Sequence, residues 1–347
     1  MKLMKLAFAM ALLAMWSTAI AQPLWMRYPA ISPDGQAIVF SYKGDLFKVP
    51  ASGGQATPLT IHSAYDYKPV WSPDGKYIAF ASNRFGNFDV FLIPASGGTA
   101  KRLTFHSGDD LPSAFSPDGQ KVIFSATIMD QPDNVQFPSG ILSELYEVTL
   151  DGDHIHQILT TPAEEAVVNN DGTGYLYHDR KGYENVWRKH HESAIARDIW
   201  WYHATTGNHA RLTAFEGEDR NPVFGPDQNT VYFLSEQFGD FNVCKTSLNP
   251  SSEVVQISKF ENHPVRFLTI SDNGTLCYGF DGEIYTQTEN SEPEKVSVTL
   301  SLDFESSNVE FIKQGGDATE MDISPNGKEI AFVMRGEVFV TSTDYST

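Results

Sequence analysis

"WSPDGKYIAF" (71–80) decides how the chain is read, because "ISPDGQAIVF" (31–40) and "FSPDGQKVIF" (115–124) nearly repeat it. Within it, Ser72-Pro73-Asp74-Gly75 has the chemistry of a tight turn. Pro fixes φ at the second position, Asp bonds nearby backbone, and Gly takes the left-handed conformation that other residues avoid. Ile78 and Phe80 then alternate with small or polar neighbours, as in a strand.

The turn recurs seven times, at Ser32–Gly35, Ser72–Gly75, Ser116–Gly119, Asn169–Gly172, Gly225–Gln228, Ser271–Gly274 and Ser324–Gly327. Successive starts lie 40, 44, 53, 56, 46 and 53 residues apart, the spacing of β-propeller blades, each a four-stranded sheet. Three features keep phase with it. An apolar-x-aromatic pair follows each turn: Ile38/Phe40, Ile78/Phe80, Val122/Phe124, Tyr175/Tyr177, Val231/Phe233, Leu276/Tyr278 and Ile330/Phe332. An acid opens each next strand: Asp45, Asp89, Glu144, Asp198, Asp240, Glu283 and Glu337. These acids are expected to be structural, one acceptor per blade for backbone N–H groups of the preceding loop, and not a ring of metal ligands or acid–base groups. A short fourth strand is expected at Leu59-Thr60, Leu103-Thr104, Leu159-Thr160, Leu212-Thr213, Ile257-Ser258 and Val296-Ser297.

Six repeats are therefore complete, and the seventh stops before its fourth strand. From the fourth strand to the next turn is 13, 13, 10, 13 and 14 residues at the first five junctions, but 28 at the sixth. The expected architecture is all-β: a six-bladed propeller over 22–300, a linker over 301–319, and over 320–347 the incomplete first blade of a second propeller. The alternative is one seven-bladed ring in which the N-terminal segment supplies the missing strand. Leu24 lies only eight residues before Ser32, which is short for that task.

Residues 1–21 read as a secretory signal peptide: Lys2 and Lys5 precede an apolar run from Leu6 to Trp16, and Ala19-Ile20-Ala21 offers a cleavage site after Ala21. The run is too short to span a bilayer, which takes roughly 20 apolar residues. The mature chain is thus expected to be exported and periplasmic, without membrane insertion. Cleavage removes two lysines and no acid, moving the net charge from −19 to −21, which argues against nucleic acid as a partner. Cys244 and Cys277 fall in predicted strands and read as buried apolar thiols rather than a disulfide.

Function should concentrate where loops depart from the repeat. From the end of the turn to the next acid is 9 to 14 residues in five repeats, but 25 in the third and 26 in the fourth. The third insertion, "TIMDQPDNVQFPSGILS" (127–143), has no basic residue. The fourth, "HDRKGYENVWRKHHESAIAR" (178–197), gathers Arg180, Lys181, Arg188, Lys189, His190, His191 and Arg197 around Tyr183 and Trp187. Trp187, Arg188, Lys189, His190, His191 and Arg197 are the candidate substrate-binding residues, as Arg forks suit carboxylates and Trp offers a platform. The bland alternative is a solvated loop pairing with the protein's own acids. Neither a Gly-x-Ser-x-Gly elbow nor a His-Glu-x-x-His motif occurs, and His154-x-His156 lacks a third ligand. No catalytic residue, metal site or cofactor is expected.

The repeat, seen in full in "SNRFGNFDVFLIPASGGTAKRLT" (82–104), resembles the WD-like repeats of TolB propellers and of tricorn-type serine proteases. Six repeats, a linker and "ATEMDISPNGKEIAFVMRGEVFV" (318–340) resemble the six-bladed propeller of tricorn-type proteases running into their seven-bladed one. "RKGYENVWRKHHESAIARDIW" (180–200) is similar to exported bacterial homologues of that family. The resemblance implies a non-catalytic propeller that gates or docks peptides for a serine-peptidase domain beyond Thr347. Peptides or those peptidase domains would be its partners, with self-association through the full-length protein. Family members use propeller arginines to hold the substrate's C-terminal carboxylate, and those positions do not match one to one here. The alternatives are a TolB-like envelope scaffold that binds proteins, and the propeller of a prolyl-oligopeptidase relative.

Overall fold

The computed structural model describes residues 23–128, 142–183, 185, 187–301, 316, 318–334 and 337–344. The expected signal segment, most of the third-blade insertion and most of the expected linker lie outside the described residues. The chain forms two units, 1–301 and 302–347. Among the described residues all regular structure is β-strand, and no helix is long and apolar enough to cross a membrane.

In the first unit each repeat forms one antiparallel sheet. The first blade runs Arg27–Ile31, Ala37–Tyr42, Asp45–Pro50 and Gly54–Pro58. The first strand of each blade is innermost: Arg27–Ile31, Asp66–Trp71, Asp110–Phe115, Ala163–Val168, Asp219–Phe224 and Arg266–Ile270. Each innermost strand packs against the next around the ring, and the sixth packs directly on the first. Six blades therefore close the ring, which leaves no gap for the seventh blade of the alternative. The second unit carries one three-stranded antiparallel sheet, Ala318–Ile323, Glu329–Met334 and Glu337–Ser342.

The repeated sequence explains the blade. In the quoted turn, Ser72 Oγ donates to Asp74 Oδ1 at 2.7 Å and accepts from Tyr77 N at 2.9 Å, while Asp74 Oδ1 accepts from Lys76 N at 3.1 Å. Gly75 has φ 69°, which only glycine adopts at little cost. The aromatic of the second strand then meets the aromatic after the third-strand acid: Phe80 lies opposite Phe91 with centroids 5.8 Å apart, and Phe40 opposite Phe47 at 6.0 Å. Cys244 replaces that aromatic opposite Phe233, and it and Cys277 are buried free thiols. The apolar core lies between blades. Val39 and Leu46 of the first cluster with Ile78, Phe80, Phe91 and Ile93 of the second. Each such side chain contributes roughly 1.5–3 kcal/mol by leaving water.

Two details differ from the sequence reading. The fourth strands precede the Leu-Thr pairs in most blades, as at Gly54–Pro58, Lys101–Arg102 and Asn208–Arg211. The pair closes the blade instead: the hydroxyls of Thr60, Thr104, Thr213 and Ser258 accept from the N–H groups of Leu46, Val90, Ile199 and Val243, at 2.8–3.0 Å. These N–H groups belong to the third strand itself, not to the loop before it. The acids mostly grip side chains on or beside the fourth strand: Asp89 pairs with Arg102 at 2.8 Å, Glu144 with Gln157 at 2.6 Å, Asp198 with Arg211 at 3.0 Å and Glu283 with Lys295 at 3.1 Å. Asp45 does accept a backbone bond, from His62 N at 3.0 Å, though in the following loop. Asp240 takes Lys189 at 3.0 Å, and Glu337's side chain lies outside the described residues.

A second set of acids, Asp66, Asp110 and Asp219, opens three innermost strands in full burial. Each repels the third-strand acid of the preceding blade: Asp66 acts on Asp45, Asp89 on Asp110, and Asp198 on Asp219. Burial, with this repulsion added, pushes Asp110 and Asp219 up to about 7.

The ring is tied at both ends of the chain. Met26 N donates to Gly282 O of the sixth blade at 3.0 Å. After the sixth blade, Val298–Leu300 crosses to the first and lies parallel to Gly54–Ala56 as a fifth strand on its outer edge. Gly54 N donates there to Ser297 O at 2.8 Å.

Gly53 tests this strap. A Cβ on it would lie 2.7 Å from Ser297 O, whereas Gly97, the equivalent residue of the second blade with the same φ of 86°, has nothing within 4 Å. Gly97→Ala should lose only the left-handed backbone cost, about 1–2 kcal/mol. Gly53→Ala should lose clearly more in denaturant titration, and equal losses would mean the strap does not stabilise the ring. The acids set a pH dependence. Asp110 and Asp219 hold their protons more tightly folded than unfolded, so folding takes up protons between the ordinary 3.8 and about 7. Stability from this source is fully present at the acid end and falls as pH rises through that window. The melting temperature should drop from pH 5 to pH 8, and Asp219→Asn should shrink the drop.

Candidate functional site

The innermost strands share a distortion that builds the site. Register breaks between Arg27 and Ala30, Tyr67 and Val70, Glu164 and Val167, Arg220 and Val223, and Arg266 and Thr269. At each break one residue has positive φ: Tyr28 at 53°, Lys68 at 52°, Glu165 at 51°, Asn221 at 50° and Phe267 at 63°. The third blade has Pro112 in this place, whose ring forbids positive φ, and there the register breaks between Pro112 and Ala114. Such bulges re-aim side chains, and non-glycine residues held in this region cost of order 1–3 kcal/mol each.

The re-aimed side chains converge at one mouth of the ring. Lys68 of the second blade pairs with Glu165 of the fourth. Tyr28 packs against Phe267 at 4.3 Å and Tyr67 at 5.2 Å, and Tyr67 meets Phe88 at 4.8 Å. Burial raises the Tyr28 hydroxyl's pKa; for Lys68 burial, the largest single influence, lowers it, but the charge and hydrogen bond of Glu165 with the added charges of Glu164 and Tyr28 leave it raised and the ammonium charged.

On the side of blades five, six and one, three consecutive innermost strands present Arg220, Arg266 and Arg27. Arg220 is buried, bonds Glu218 Oε2 at 2.8 Å and lies over the Phe241 ring at 5.2 Å. Arg266 stands 5.8 Å from the same ring; burial, with Arg220 alongside, pulls its pKa down to about 10.

Topology puts the fourth-blade loop at this mouth. Strands alternate in direction, so second-to-third connections emerge where the innermost strands begin, opposite the Ser-Pro-Asp-Gly turns. Lys181 pins the base of the fourth-blade loop, with Nζ donating to Asp198 Oδ2 and Ala196 O, both at 2.6 Å. Trp187, 46% exposed, has Arg27 over its ring at 5.0 Å and Arg266 at 5.2 Å, with Phe267 edge-on at 6.2 Å. Arg266 Nη2 also donates to Trp187 O at 3.2 Å.

The other candidates scatter. Lys189 Nζ donates to Asp240 Oδ1 at 3.0 Å and Asn262 O at 3.2 Å; His190 N donates to Glu236 Oε1 at 2.7 Å, and its ring stands 3.2 Å from Asp240. His191 bonds Ser193 Oγ at 2.7 Å, and Arg188 N donates to Asn185 O at 3.0 Å. Arg197 is 2% exposed and faces Glu218 at 3.3 Å, inside the protein and out of reach of a ligand at the mouth. Lys189, His190 and Arg197 therefore pair with the protein's own acids, and Trp187 is the candidate held against Arg27 and Arg266. Sequence reading passed over Arg27, Tyr28, Lys68, Glu165, Arg220, Arg266 and Phe267. Their signal is that, with the repeats aligned, these two positions of the first strand vary between basic, acidic and aromatic residues. Among the described residues no group of three or more His, Cys, Asp or Glu could hold a metal ion.

The family model of the tricorn protease N-terminal beta propeller domain matches residues 23–293. No curated protein matches the chain. Among solved structures, a tricorn protease aligns over 92% of this chain and 30% of its own, with TM-score 0.66 and 21% identity. TolB from Acinetobacter baumannii aligns over 76% of this chain and 61% of its own, with TM-score 0.56 and 18% identity. At these identities the likeness is one of fold, and the chain spans less than two thirds of either protein.

Proposed function

Because the chain belongs to the tricorn protease N-terminal β-propeller family, we propose that it docks peptides at the mouth of its ring for a serine-peptidase domain carried elsewhere in the same protein. The observation that carries this reading is the row of Arg220, Arg266 and Arg27 beside Trp187, on the face that bears the fourth-blade loop. Guanidinium groups set in aromatic surroundings favour a carboxylate over a neutral end, because the charge-assisted bond forms where water is scarce. The mouth also supplies apolar contact, from Tyr28, Tyr67 and Phe267, for the residues behind that carboxylate. Chemistry is left to the peptidase, and this chain selects and orients. The signal-like sequence of residues 1–21 supports export, which would put this docking in the periplasm.

Calorimetric titration of the chain with short peptides tests the proposal. A peptide with a free C-terminus should bind about tenfold more tightly than its amide, a difference of about 1.4 kcal/mol. Arg27→Ala should erase most of that ratio. Equal affinities for acid and amide in the unaltered protein would remove the docking reading.

A further inference from the structure

Trp187 is held as though it were a ligand. Its indole is held by two guanidinium groups from different blades, Arg27 at 5.0 Å and Arg266 at 5.2 Å from the ring centre, with Phe267 packed edge-on to it. Its backbone carbonyl accepts from Arg266 Nη2 at 3.2 Å, so one arginine holds both the ring and the main chain of the same residue. A planar slot for a π-system with a donor for the adjacent carbonyl is what the aromatic residue of a peptide requires. The stack continues beyond the slot, with Arg27 5.9 Å from the Trp25 ring and Arg266 and Arg220 over Phe241, so the slot belongs to the ring's own architecture.

Apart from that Arg266 bond, the polar anchors of the loop lie elsewhere. Lys181 pins its base, and Lys189 and His190 tie it to Asp240 and Glu236 of the fifth blade. Loop attachment therefore does not depend on the indole, which stays 46% exposed. Burial and the neighbouring Arg220 bring Arg266 down to about 10, the mark of a cation short of water. Such a cation gains more from a ring face than an exposed one does.

We propose that the space beside Arg27 and Arg266 is a subsite for an aromatic side chain of the bound peptide, and that Trp187 is its resident occupant. The inference rests on the mouth being the peptide-docking surface and adds the class of side chain that is chosen there. An incoming Trp, Tyr or Phe competes with Trp187 for the slot and offers its own carbonyl to Arg266.

The test uses N-acetyl-tryptophanamide, which has the ring and both amide groups but no carboxylate. Its failure to bind would thus leave the acid-over-amide discrimination of the docking reading standing. Trp187→Ala should bind it saturably and about tenfold more tightly than the unaltered chain. N-acetyl-leucinamide should gain nothing, and adding Arg27→Ala or Arg266→Ala should abolish the gain. Trp187→Leu, which keeps apolar bulk without a π face, is measured alongside, so a folding defect in one variant leaves the other to decide. Absence of saturable binding to a variant with unchanged melting temperature would overturn the subsite, as would equal gains for the leucine analogue or binding that survives loss of both arginines.

Discussion

A blade of this protein is apolar on both faces, and that requirement governs everything else in the first unit. Ile38, Val39 and Phe40 are consecutive and all fully buried, as are Ile78, Ala79 and Phe80. A strand with side chains buried on both sides needs a neighbouring sheet on both sides, and a row of such sheets has unsatisfied ends unless it closes on itself. Closure comes from the packing of Arg266–Ile270 on Arg27–Ile31, the bond from Met26 to Gly282, and the strap of Val298–Leu300 on the first blade's edge.

Closure in turn creates the mouth. Six innermost strands crowd one axis, and bulges at corresponding points turn side chains towards it. Two kinds of group result: the Lys68–Glu165 pair, which spans from the second blade to the fourth, and the arginines of blades five, six and one. The crowding explains why five non-glycine residues hold positive φ: the ring over-determines their conformation, and the cost is absorbed by contacts such as Tyr28 on Phe267.

The division of labour within a blade also follows from burial. Thr60, Thr104, Thr213 and Ser258 take N–H groups of the third strands and close each blade. Most acids take cationic or amide side chains from or beside the fourth strand, as Asp89 takes Arg102. Where a second acid opens the next blade, as Asp110 and Asp219 do, burial and repulsion leave a carboxyl that keeps its proton up to about pH 7.

Periodicity made the blades legible. Ser-Pro-Asp-Gly, apolar-x-aromatic, acid-apolar-aromatic and Leu-Thr each act within about 20 residues, through turns and neighbouring strands, and local chemistry of that range is written directly in the order of residues. Residue order alone therefore carries the all-β class, the blade count and a Trp187-bearing basic loop as the departure from the repeat. What surrounds Trp187, and the interior place of Arg197, came only with folding in three dimensions. Arg27, Arg266 and Phe267 lie in the first and last blades, far from residue 187 in the chain. Ring closure alone brings them together, and no spacing rule within a repeat records which residues will face each other across an axis.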